Sequence, residues 1–174
     1  EYDLNYYTYG LRIYKNMPLI EPVETKENLR IEELVIVVDT SYSTSGELVK
    51  KFLRETFTIL SETDSFFRKR KIHIIQCDEL VHSDITVTGD TDIDILINNF
   101  ELAGGGNTDF RPAFEYVNNL IDTGEIKKLQ GLLYFTDGKG KYPKKKMPYN
   151  TAFVFIDKLS ETAVPAWAMK VSLE

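Results

Sequence analysis

Five consecutive apolar residues, 34–38 (LVIVV), constrain this chain more than any other feature. Four of them are β-branched, which favours an extended backbone. The run does not alternate, so a strand built from it must be covered on both faces. Such a strand belongs inside a parallel sheet with helices packed above and below. The remaining sequence supplies those parts. Residues 46–60 place Leu48, Val49, Phe52, Leu53, Thr56, Ile59 and Leu60 at helical 3–4 spacing on one buried face. KIHIIQC (71–77) reads as a second strand and DITVTG (84–89) as an alternating edge strand. The gap between these two, around residues 79–83, is too short for a helical crossover and predicts an antiparallel hairpin. A short helix is expected over 92–100, and a longer one over 111–122 with Pro112 harmlessly in its first turn. LQGLLYF (129–135), TAFVFI (151–156) and AMKVSL (168–173) complete the strands.

Strands alternating with helices predict an α/β fold: a three-layer sandwich with a central, mostly parallel sheet. Its one antiparallel edge strand is 84–89, its centre is 31–38, and helices cover both faces. A length of 174 residues fits one domain, assigned to 30–174. Residues 1–29, rich in tyrosine and holding Pro18 and Pro22, read as a lead-in arm packed on it. A net charge of −6 argues against a general nucleic-acid binder. No apolar run approaches the about 20 residues needed to span a bilayer. The single cysteine, Cys77, excludes an internal disulfide framework and fits a reducing compartment, so a cytoplasmic location is expected. Cys77 itself reads as a buried strand residue. The chain starts at Glu1, and a piece of a longer protein is the expectation.

Three loops are rich in oxygen donors. DTSYS follows the first strand with Asp39, Thr40, Ser41, Tyr42 and Ser43. GGGNTDF carries Asn107, Thr108 and Asp109 ahead of a helix, and TDG places Asp137 at the end of the LLYF strand. In a parallel α/β sheet, sites lie beyond the carboxyl ends of the strands. The loops can therefore gather Asp39, Ser41, Ser43, Thr108 and Asp137 at one rim. Ser41 and Ser43, two apart, face the same side of an extended stretch. Two carboxylates with neutral hydroxyls and no His or Cys point to a hard cation, magnesium with manganese or calcium as alternatives, and away from zinc. Ser, Thr and Asp are also ordinary turn and cap residues, which is the plain alternative for each loop. Gly104 to Gly106 allow positive φ and close approach of the backbone. Around the rim, Thr40, Tyr42, Asp78, Asn107 and Asp109 are the candidate supporting residues, with Asp109 favoured as a helix cap. The basic run 144–146 reads as a solvated loop.

This three-part set resembles the metal-ion-dependent adhesion site of von Willebrand factor A domains: Asp-x-Ser-x-Ser, a distant Thr, a distant Asp. VVDTS, CDELV, GGGNTDFRPAF, LLYFTDGKGKYP and the tail with Pro165 are similar to a bacterial branch of that family. In that branch the domain follows a metallopeptidase-like segment. The similarity runs from Leu34 to the C-terminus. Tyr42 and Asn107 stand where the branch usually has glycine, and neither position supplies a metal ligand. The resemblance implies a divalent-cation-dependent protein-binding module, the C-terminal part of a larger protein. Its partner would offer an acidic residue, and an AAA+ ATPase is the partner implied by family association.

Other readings make specific demands on the sequence. A zinc peptidase needs a helical H-E-x-x-H. His73 and His82, the two histidines, form neither half of it and read as structural residues. A phosphatase using Asp39 as nucleophile wants an acid two residues later, where Ser41 stands. The chain is therefore expected to be non-catalytic, any hydrolysis residing outside it. A metal-free scaffold that keeps the fold is the remaining alternative.

Overall fold

The computed structural model describes residues 32–41, 44–61, 70–155 and 164–172. The expected arm, 1–29, lies outside them. Six strands form one sheet: β1 (Glu32–Asp39), β2 (Arg70–Cys77), β3 (Val81–Val87), β4 (Leu129–Thr136), β5 (Asn150–Phe155) and β6 (Met169–Ser172). Their order is β3-β2-β1-β4-β5-β6, so β1 has three strands on one side and two on the other. All pairings are parallel except β2–β3, an antiparallel hairpin at the edge. Three helices are described: α1 (Gly46–Ser61), α2 (Ile93–Asn98) and α3 (Arg111–Asp122).

The uninterrupted apolar strand is explained by its position. Ile36 and Val38 point into one core, with Val49, Phe52, Leu53, Phe57 and Leu60 of α1 and Ile97 of α2. Val35 and Val37 point into a second core, with Ala113, Phe114 and Val117 of α3. All four valine and isoleucine side chains are fully buried. This is a three-layer α/β sandwich with helices on both faces.

The edge strand departs from expectation. It spans Val81–Val87 rather than 84–89, because the hairpin turn tightens to residues 78–80. The Asp78 carboxylate accepts the Leu80 amide at 2.9 Å, and the Asp78 amide donates to the Leu80 carbonyl at 3.1 Å. A side chain that closes its own turn lets pairing resume at once, beginning with Cys77 opposite Val81. α2 is also shorter than 92–100: Asp92 caps it, its carboxylate accepting the Ile95 amide at 3.0 Å. No helix among the described residues is long and apolar enough to cross a membrane.

Candidate functional site

The carboxyl ends of β1, β2 and β4 lie side by side, so the loops after β1 and β4 and the hairpin turn after β2 leave at one rim. Asp39 is the last residue of β1, next to Thr136 of β4, and is fully buried. Its Oδ2 accepts the Thr136 hydroxyl at 2.6 Å, and its Oδ1 accepts the Ser41 amide at 2.8 Å. The Thr136 hydroxyl in turn accepts the Gly138 amide at 3.0 Å, which shapes the turn carrying Asp137. Gly138 takes φ +84°, and the Asp137 carboxylate accepts the Lys139 amide at 3.0 Å. One threonine thus ties the first loop to the third.

Burial pushes the Asp39 carboxyl above its ordinary range, against the hydrogen bonds of Thr136 and Ser41 that favour its anion. The neighbouring Asp137 charge pushes the same way. Among the described residues no cation pairs with Asp39. A buried acid beside a second acid gains from a counter-charge, and the surrounding donors are hard oxygens of the kind magnesium takes. The residues therefore suit a hard divalent cation on donor chemistry. Among the described residues no three His, Cys, Asp or Glu side chains gather as a metal cluster. The candidate set has only two carboxylates, and its other donors are hydroxyls.

The middle loop folds onto this rim. The Gly105 amide donates to the Thr40 carbonyl at 2.8 Å and the Gly106 amide to Asp78 Oδ2 at 3.0 Å. The Asp109 amide donates to the Asp78 carbonyl at 3.2 Å, and the Phe110 amide to the Lys141 carbonyl at 3.0 Å. Thr108 then lies against the third loop: a Cβ added to Gly140 would sit 2.7 Å from the Thr108 methyl carbon. Gly140 belongs to the same loop as Asp137, three residues further on. Ser41 is buried and Asp137 half-buried. Ser43 and Tyr42 lie outside the described residues.

The rim residues divide by what they touch. Thr40 is buried, with its hydroxyl unpaired among the described residues and close to Gly104. Asn107 is exposed. Burial works against ionisation of Asp78, but the Leu80 and Gly106 amides and His82 bring its carboxyl below the ordinary range. Asp109 does not occupy the cap position of α3, which Phe110 holds without a side-chain bond. One residue earlier, its Oδ1 accepts the Arg111 amide at 3.1 Å while the Arg111 guanidinium grips both oxygens. Both histidines are structural: His73 bonds Asp84, and His82 bonds Asp78 at 2.8 Å. Cys77 is buried, and burial pushes its thiol up to about 12. Lys144, Lys145 and Lys146 are exposed in a loop.

Sequence reasoning missed three participants. Thr136 was legible as the hydroxyl directly before Asp137. Gln76 sat two residues before Asp78, the same-face spacing of a strand. Gly140, pressed against Thr108 and Phe110, carried no signal beyond a glycine in a loop.

A parallel sheet between helix layers, with an antiparallel edge and an oxygen-lined rim at its carboxyl ends, defines a von Willebrand A-type domain. The chain belongs to the family described as VWA-like domain (DUF2201), whose model matches residues 34–174. Among solved structures it is similar to the crystal structure of the SpRpn10 VWA domain. That similarity has 15% identity and a TM-score of 0.55, over 82% of this chain and 88% of that one, and bears on the fold. No curated protein matches the chain significantly. Membership in a VWA-like family supports a general role as a protein-interaction module.

Proposed function

We propose that this chain is a divalent-cation-dependent protein-binding module. Asp39, Ser41, Ser43, Thr108 and Asp137 would hold magnesium, or manganese or calcium in its place. The bound ion would supply an open coordination position for a carboxylate of the partner. The protein's own part is to present hydroxyls and two acids on a rigid rim and to keep Asp39 out of water. The observation that supports this reading is the buried Asp39, bonded to Thr136 at the head of the third loop, with the middle loop held on its neighbour Thr40. The module is non-catalytic, and hydrolytic activity, like any AAA+ ATPase partner, belongs to what the family resemblance suggests about a larger cytoplasmic system.

The test is a thermal melt with magnesium, manganese or a chelator. A cation that binds only the folded state adds RT ln(1 + [L]/Kd). For a site of about 1 mM affinity at about 10 mM ion, that is about 1.4 kcal/mol, a rise of about 3–6 °C for a chain of this size. Asp39→Ala, and Ser41→Ala combined with Ser43→Ala, should lose the rise. No rise with any divalent ion would favour a metal-free scaffold, and an equal rise in the variants would put the ion elsewhere.

A further inference from the structure

Between the end of α2 at Asn98 and the start of α3 at Arg111, the chain carries three consecutive glycines and Thr108. A linker of that length and composition has many conformations open to it. Two side chains at the end of β2 remove that freedom. Gln76, buried, accepts the Ala103 amide on Oε1 at 2.8 Å and donates from Nε2 to the Glu101 carbonyl at 3.1 Å. Two residues on, Asp78 accepts the Gly106 amide on Oδ2 at 3.0 Å, and its Oδ1 holds the Leu80 amide and His82. The Asp78 carbonyl takes the Asp109 amide and the Thr40 carbonyl takes the Gly105 amide. The amides of residues 103, 105, 106, 109 and 110 are thus all satisfied by protein acceptors.

We infer that Gln76 and Asp78 are positioning residues that preform the Thr108 limb of the rim, so the loop is assembled before any cation arrives. The bonds their side chains make to the chain backbone go to the loop and the hairpin turn. The two residues act through the backbone they hold, as outer partners that orient ligands elsewhere do. Asp78 does so with both carboxylate oxygens, one fixing the hairpin turn and the other fixing the loop. A single residue therefore sets the spacing between the edge hairpin and Thr108. The ion-binding consequence rests on the function proposed above. The clamping does not.

Two readouts separate them. Amide hydrogen exchange on the ion-free chain reads the loop, and Mn2+ titration followed by electron paramagnetic resonance reads the site. In the wild type, the amides of residues 103, 105, 106 and 109 should be protected without any divalent ion. Asp78→Ala should speed exchange at Leu80 and Gly106 at least tenfold, and Gln76→Ala should do so at Ala103, with β1 and β4 unaffected. Each should weaken Mn2+ binding by about 10–100-fold. Asp78→Asn, which keeps one acceptor oxygen and the size of the side chain, should give a smaller loss at the same amides. It also serves if Asp78→Ala fails to fold. Loop amides that are unprotected in the wild type until Mn2+ is added would overturn the inference. So would Mn2+ binding equally tight in the variants and the wild type. A wild type that binds no Mn2+ yet shows the protected loop would refute the ion reading alone and leave Gln76 and Asp78 as the residues that hold it.

Discussion

Gly104 shows how little room the rim leaves. Its φ is +135°, and a Cβ there would stand 2.5 Å from the Thr40 hydroxyl, 2.9 Å from Asp78 Oδ2 and 3.1 Å from the Thr40 carbonyl. Gly105 also has positive φ, +107°, but a Cβ there would meet nothing within 4 Å. Gly105→Ala should therefore cost only the conformational strain, about 1–2 kcal/mol. Gly104→Ala adds overlaps with the Thr40 hydroxyl and the Asp78 carboxylate and a tight approach to the Thr40 carbonyl, and its total should be about 3 kcal/mol, near the upper end of such strain. Urea unfolding of the two variants checks the order. If they unfold at the same midpoint, the loop is free to retreat from Thr40 and the close approach has no energetic weight.

Among the elements, β3 pairs with β2 on one side, and a polar triad ties it across the sheet face to α3. Asp84 accepts His73 Nδ1 at 2.9 Å and the Tyr116 hydroxyl at 2.8 Å. Burial opposes the Asp84 charge most, yet the bonds from His73 and Tyr116 together hold its carboxyl below the ordinary range. The unfolded chain then binds more protons than the folded one between that lowered value and about pH 4, so stability falls as pH falls through this window. Asp84→Asn should lose less stability between pH 5 and 3 than the wild type does, as followed by urea midpoints at each pH. Asp84→Ala should cost about 2–3 kcal/mol at pH 7, since it strands a buried imidazole and a phenol. An unchanged pH slope in the asparagine variant would remove Asp84 from acid denaturation. The start of α3 has its own anchor. Phe110 is fully buried with its ring against Tyr134, Tyr142 and Phe153 at 4.6–5.6 Å. Phe110→Ala should cost about 3–5 kcal/mol in unfolding measurements. Because Thr108 is two residues away, it should also loosen the rim.

Over the whole molecule, two cores share one sheet, and the candidate site sits at the carboxyl ends of its strands. A chain of net charge −6 is stabilised to some degree by any salt, because screening relieves self-repulsion. A specific ion must do more. At matched ionic strength, magnesium chloride should raise the melting temperature by about 3–6 °C over sodium chloride in the wild type, by the linkage relation above. In Asp39→Ala the two salts should be equal. A magnesium effect that sodium reproduces in the wild type would be screening and would leave no bound ion to explain.

The strands and helices were legible because each carries its own periodicity. Residues 34–38 had to be buried on both faces, α1 and α3 each show one apolar stripe, and both lie where the spacing put them. The presence of Asp39, Thr108 and Asp137 at strand ends and in a glycine loop was legible too, since position along a parallel strand fixes which rim its end reaches. What holds those residues was not. Gln76 and Asp78 bond to amides 27 and 28 residues further along the chain, and Thr136 bonds to Asp39 across 97 residues. Such bonds follow no local period; they exist only after β1, β2 and β4 have paired in register. The early start of β3 was hidden for a related reason. A carboxylate that closes its own turn looks in sequence like any other loop acid. Local order here came from side-chain patterning, and the shape of the rim came from backbone groups that the folded sheet brought within reach.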